Sequence, residues 1–382
     1  MTMPNLDLIG AEVLHPEGLS RTPLSFAEGH ITERSAGRQV DLTGFQVLPG
    51  IVDLHGDAFE RHLAPRRGAM KQLSEGLVSA EAELAANGIT TAVLAQFVSW
   101  EGGLRGSEFA NQVFNGIRDT APELVTDVRP QLRFETHMLD LYQDLPQRMA
   151  EWGVGYIVFN DHLPHDRLAQ GKLPKRLVGQ ALKAGRSPET HLAQMQDMHA
   201  RREEVPAALD ALCAELSQRG IRMGSHDDQT PEQRAEWRAR GVSLAEFPET
   251  QEAAEAAHAA GDAVIMGAPN VVRGGSHNGN LSALDLISMG LCHALASDYH
   301  YPSPRRAALM LAQSGLLDLA GAWALVSSGP AQVLGLTDRG TLMPGKRADI
   351  VILDKATGRV AATFAAGRVS YMSGAIAERF AA

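Results

Sequence analysis

Two cysteines in 382 residues, Cys213 and Cys292, are too few for a disulfide framework or a thiolate metal cluster. Each sits in an apolar, helical-looking context (ALDALCAEL, SMGLCHALA) that reads as buried packing. No stretch approaches the roughly 20 consecutive apolar residues that span a bilayer, so no membrane association is expected. Excess positive charge is also missing. A net charge of -10 argues against nucleic acid as a partner, because neutralising a phosphate backbone needs clustered Lys and Arg. The opening MTMPNLDLIGAEVL has no basic segment followed by an apolar one, so no signal peptide and a cytoplasmic location are expected. Repeats and low-complexity blocks are absent, which removes solenoid and linker-rich architectures.

What is present is a hydrophobic fraction of 44%, a charged fraction of 21%, and a length that suits one barrel-sized α/β domain plus something small. Short apolar runs alternate with helical ones. GIVDLH is followed by the helical LSEGLVSAEAELAANG, which Gly88 stops, and then by the β-branched ITTAVL. QLRFE, GYIVFND, IRMGSHDD, VSLAEFPET, DAVIMGAPN and ALASDY continue the series, each ending in polar residues. Helix, glycine, apolar strand and polar tip in repeated order predict parallel strands with helices outside, an α/β fold of the (β/α)8 TIM-like class. Residues 1–47 and 340–382 read instead as short strands and turns, and neither end could bury a core alone. We expect them to form one small β-sandwich domain, with a barrel over 48–339 that carries a basic helical insertion at about 163–204.

The segment LPGIVDLHGDAFERH places His55 and Asp57 two residues apart, on one face of a strand. An isolated pair of this kind also occurs in a surface turn after a core strand. Barrel enzymes, however, carry their chemistry at the C-terminal strand ends, and Glu135, His162, His226 and Asp298 fall at further such tips. Oxygen and nitrogen ligands without thiolate suit one or two divalent ions such as Zn, Mn or Fe. Glu135 is of the type that bridges two ions, and Asp298 of the type that orients a water or takes its proton. His137, His165, His258 and His293 are left outside this set as hydrogen-bonded structural histidines.

The glycine-rich GAPNVVRGGSHNGN at 267–280 reads as a loop that allows close backbone approach. With donors from Arg273, Ser276, His277 and Asn278 it suits a phosphorylated ligand, and Arg61, Arg66 and Arg67 point the same way. The run HDRLAQGKLPKRLVGQALKAGR, with Lys172, Lys175, Arg176, Lys183 and Arg186, is either a solvated excursion or an anion-binding lid.

PGIVDLH opening the barrel, SDY closing it and GTLMPGKRADIVILD returning to the β domain resemble the amidohydrolase superfamily. HGD, SHDDQT, AEFPET, MGAPNVVRGGSHNGN and SDYHYP closely resemble its PhnM family, which serves carbon-phosphorus lyase pathways. The resemblance implies hydrolysis of α-D-ribose 1-methylphosphonate 5-triphosphate to the 5-phosphate and pyrophosphate, a phosphorylated ribose phosphonate as substrate, and the six tip residues as metal ligands. It also implies a homo-oligomer and association with other phosphonate-degradation enzymes. A deacetylase or cyclic-amide hydrolase of the same superfamily is the alternative, and a non-catalytic scaffold the third reading.

Overall fold

Apolar runs that end in polar residues become the strands of one parallel sheet in the computed structural model, which describes residues 5–64, 72–275 and 281–381. The strands are β1 (Ile51–Gly56), β2 (Ile89–Val98), β3 (Asp127–Glu135), β4 (Tyr156–Asn160), β5 (Arg222–His226), β6 (Leu244–Glu246), β7 (Ala263–Gly267) and β8 (Ala294–Ala296). Their order in the sheet is their order in the chain. Gly56, at the end of β1, bridges in parallel to Asp298, two residues past β8. Parallel strands in sequential order, with helices between them, make the fold the (β/α)8 TIM-like class. All ten residues of β2 are buried, as a strand covered on both faces requires.

By its contacts the chain divides into two units. The first takes in residues up to Leu94, Thr120–Arg129 and Ala263 onward; the second is Ala95–Asp119 and Pro130–Asp262.

In the first unit the chain ends build two further β-sheets, the larger with strands from both ends. A four-stranded sheet has the order His30–Thr32, Leu24–Ala27, Leu6–Ile9, Arg38–Asp41. A six-stranded sheet runs Arg368–Met372, Val360–Ala365, Ile350–Asp354, Phe45–Pro49, Glu12–His15, Gly18–Ser20. Leu8, Phe26, Val47, Ile350, Ile352 and Phe364 share one core, which neither end could assemble by itself. Asp7 is buried beside it and accepts hydrogen bonds from Ser25 Oγ (2.6 Å), Ser35 Oγ (2.5 Å) and the Ala36 amide (2.7 Å). Burial opposes its charge, but the backbone and hydroxyl donors prevail and hold its pKa down at about 2.

In the second unit the segment expected as an insertion folds into α1 (His165–Ala169), α2 (Leu177–Ala184) and α3 (Pro188–Ala200). Gly185, in the left-handed region at φ 67°, ends α2, and Ser187 caps α3 by accepting the Thr190 amide at 3.2 Å. Leu177 of α2 and Met195 and Met198 of α3 share one buried apolar cluster with Trp100 and Leu163. Arg186 donates to the Trp100 carbonyl at 3.1 Å and also bonds Gln194, while Arg167 donates to the Leu173 carbonyl at 2.9 Å. Of the expected lid cations, Arg186 is therefore committed to holding the insertion together, and Lys172 bonds Gln170 at 2.7 Å.

Cys213 is buried and unpaired with Cys292; burial pushes both thiols up to about 12. Among the described residues, no helix is long and apolar enough to cross a membrane.

Candidate active site

In the first unit the tip of β1 is tied to the end of β8 through backbone and side chain. The Asp298 amide donates to the His55 carbonyl and the Asp57 amide to the Asp298 carbonyl, each at 3.0 Å. His55, Asp57 and Asp298 are thus neighbours, although more than 240 positions separate Asp298 from the other two in the chain. His55 is completely buried. Asp57 lies one residue beyond the strand, where Asp57 and Asp298 are both part-exposed. Asp298 adopts φ 54°, a left-handed conformation that Asp and Asn tolerate better than most residues.

Asp53, on the same side of β1, went unremarked in the sequence. It is fully buried, and both its oxygens are used by Ser297, from the backbone amide at 2.8 Å and from Oγ at 2.5 Å. Burial raises its pKa to about 6 despite those bonds and the nearby His55. A Cβ on Gly56 would lie 2.8 Å from Asp53 Oδ2 and from Ser297 Oγ, so this crossing requires glycine. The Tyr301 ring packs there too, fully buried, and burial together with Asp53 and Asp57 raises its phenol well above the ordinary value.

In the second unit Glu135 is completely buried at the end of β3. Register pairs it with Asn160 of β4, so His162, two residues on, folds back to it. His162 Nδ1 lies 2.5 Å from Glu135 Oε1, and the His162 amide donates to Oε2 at 3.1 Å, where Trp100 Nε1 also donates at 3.3 Å. Burial works against the charged form of His162, but the Glu135 hydrogen bond and charge outweigh it and raise the pKa.

His226 ends β5 with Nδ1 at 2.9 Å from Asp227 Oδ2 and Nε2 at 3.0 Å from Arg133 Nη2. A guanidinium only donates, so Nε2 accepts and the proton sits on Nδ1. A cation at Nε2 would have to displace Arg133, whose guanidinium also stacks 4.0 Å from the Phe97 ring centre. His226 pairs in register with Glu246 at the end of β6. Glu246 is fully buried; its Oε1 accepts from Gln131 Nε2 at 2.9 Å and from the Tyr156 hydroxyl.

Glu246, Arg133 and Asp227 are residues that the sequence reading missed. An acid ending the apolar LAE in AEFPET was the available signal for Glu246. The structure also corrects the expected glycine-rich loop. Ala268–Arg273 forms a helix, α4, begun by Pro269 in its first turn and ended by Gly274 at φ 76°. Arg273 is consequently the last helical residue, bonded to the Tyr299 hydroxyl with its guanidinium carbon 5.9 Å from that ring's centre. Arg61, past the end of β1, pairs with Glu83. Arg66, Arg67, Ser276, His277 and Asn278 lie outside the described residues.

An amidohydrolase family model matches residues 67–371. The chain belongs to the amidohydrolase family. Amidohydrolases typically bind divalent metals, and this member carries His, Asp and Glu groups of the kind that hold one. The α-D-ribose 1-methylphosphonate 5-triphosphate diphosphatase of Escherichia coli (strain K12) is 35% identical over 327 residues, which cover 82% of this chain and 84% of that protein. This relative bears out the resemblance read from HGD, SHDDQT and AEFPET. Solved structures agree on the fold. A putative prolidase from Bifidobacterium longum covers 100% of this chain and 98% of its own at TM-score 0.64 and 15% identity. The N-acetylglucosamine-6-phosphate deacetylase from Pasteurella multocida covers 96% and 99% at TM-score 0.63 and 10% identity.

Proposed function

We propose that this amidohydrolase hydrolyses α-D-ribose 1-methylphosphonate 5-triphosphate to the 5-phosphate and pyrophosphate in phosphonate catabolism. The observation that carries the reading is the 35% identity to a diphosphatase of that substrate over most of both chains. His55, Asp57, Glu135, His162, His226 and Asp298 are the ligands we assign to one or two divalent ions, Zn, Mn or Fe. The donor chemistry fits: carboxylate and imidazole at strand ends with no thiolate among them, His226 offering Nε2 once Arg133 moves aside. A divalent ion held by these residues would lower the pKa of water and neutralise charge that develops on the phosphoryl oxygens.

The remaining work belongs to the chain. A water oxygen bonds to phosphorus as the bridging P–O bond breaks, and Asp298 takes the proton that the water gives up. Glu135 holds His162 in one orientation, with Trp100 and the His162 amide fixing the carboxylate in turn. Arg273 faces the departing pyrophosphate, with Ser276, His277, Asn278 and Arg66 as further substrate contacts. We place the enzyme in the cytoplasm, as a homo-oligomer working beside other phosphonate-degrading enzymes. Pyrophosphate release from the ribose triphosphate tests the reading. Acetate release or ring opening from amide substrates, without pyrophosphate, would support a deacetylase or cyclic-amide hydrolase instead.

A further inference from the structure

The second unit holds another group of ligand-type side chains, made of residues the mechanism does not use. His137 lies two residues past β3, Asp161 follows β4 directly, and His165 opens α1. His137 Nε2 and His165 Nε2 are 3.0 Å apart, and each is 3.3 Å from Asp161 Oδ2. Three donor atoms therefore form a nearly equilateral triangle. Bonds of about 2.0–2.2 Å from a zinc-type ion to N and O place adjacent ligands about 2.9–3.5 Å apart in octahedral or tetrahedral geometry. The triangle already has those edges.

The surroundings fit an ion as well. His165 Nδ1 lies 2.8 Å from His199 Nδ1, near the end of α3. A proton on His165 Nδ1, donated to His199, leaves the Nε2 lone pair directed into the triangle, the tautomer that a metal needs and that an outer partner usually fixes. His137 is 7% exposed and its Nδ1 has no hydrogen-bond partner among the described residues, so the buried ring is aimed by packing with Nε2 at the cluster. The Asp161 side chain is 46% exposed, which leaves one side of the triangle open to water.

We propose that His137, Asp161 and His165 form a second divalent-metal site of zinc type, separate from the ligands assigned above, with His199 as the outer partner of His165. Two histidines and one carboxylate fill three positions, and water fills the rest. Its ligands come from the ends of β3 and β4 and from α1, while His199 comes from α3. A bound ion thus ties the inserted helices to the strand ends, and its role is structural.

The full-length protein, depleted of metal by dialysis against dipicolinate, is titrated with Zn²⁺ alone, desalted and analysed for zinc per chain. His165→Gln is expected to bind one zinc fewer than wild type and to lose part of the zinc-dependent rise in Tm, while its circular dichroism stays unchanged. Asp161→Asn, at a half-exposed position, provides a second variant in case the first does not fold, and the same loss of one zinc is expected. Equal zinc counts in wild type and in whichever of the two variants folds would overturn the second site. The site does not depend on the proposed reaction: a protein that releases no pyrophosphate but loses one zinc in His165→Gln refutes the reaction alone.

Discussion

Glu135 and His162 meet at 2.5 Å between Oε1 and Nδ1, although 27 residues separate them in the chain. The contact follows from register: β3 and β4 align Glu135 with Asn160, so a histidine two positions past Asn160 turns back over the carboxylate. Glu135→Gln leaves the shape of the side chain but removes its charge. We predict that the variant loses at least one divalent ion per chain by elemental analysis. Its metal affinity should fall by more than the about 10- to 100-fold typical for loss of a ligand's outer partner. Unaltered metal content would remove Glu135 from the ligand set.

Asp298→Asn is predicted to fold normally, because asparagine accepts the φ of 54° that this position imposes. Because the asparagine oxygen can still ligate, it should keep its metal yet lose about 10²- to 10⁴-fold in kcat, the usual cost of removing a general base. Steady-state kinetics beside a metal assay check both halves. A kcat within a few-fold of wild type would leave Asp298 a structural role only.

Arg273→Ala is predicted to lower kcat/KM for the triphosphate by about 1.5–3 kcal/mol, the range for a charged hydrogen bond, without changing metal content. Because the Tyr299 hydroxyl bonds the guanidinium, Tyr299→Phe should produce a smaller loss in the same direction. An unchanged kcat/KM in Arg273→Ala would move the phosphate contacts elsewhere.

Asp7, in the four-stranded sheet of the first unit, supplies a pH prediction. Its folded pKa of about 2 lies below the roughly 3.9 of an unfolded aspartate, so its bonds to Ser25, Ser35 and Ala36 stabilise the fold above about pH 4. That contribution disappears as the pH falls through about 2. Asp7→Asn should be less stable than wild type at pH 7, and the gap should narrow between about pH 4 and pH 3. Urea midpoints at the three pH values measure it, and a gap independent of pH would mean that the carboxylate charge contributes nothing.

The barrel was readable because each strand announces itself twice, by an apolar run and by the polar residue that ends it. His55, Glu135, His226 and Asp298 sit at such endings. Glu246 was harder: its strand has three residues, and the donors that hold it, Gln131 and Tyr156, are 115 and 90 positions away. The helix Ala268–Arg273 was lost among glycines, although Pro269 and Gly274 mark its two ends. Asp53 could have been flagged as a charge inside a buried run, which must find a partner. That partner, Ser297, is 244 residues distant, and no local pattern connects the two. Composition and periodicity reveal where chemistry sits along each strand, while long-range register decides which side chains meet.

The central claim is metal-dependent cleavage of a triphosphate into pyrophosphate and a 5-phosphate. Phosphorus NMR of α-D-ribose 1-methylphosphonate 5-triphosphate with the metal-loaded enzyme follows every phosphorus at once. The account predicts pyrophosphate and the 5-phosphate in equal amounts, no reaction after exhaustive chelation, and recovery when Zn²⁺ or Mn²⁺ is returned. Release of single orthophosphate, an inert triphosphate, or an undiminished rate after chelation would contradict it.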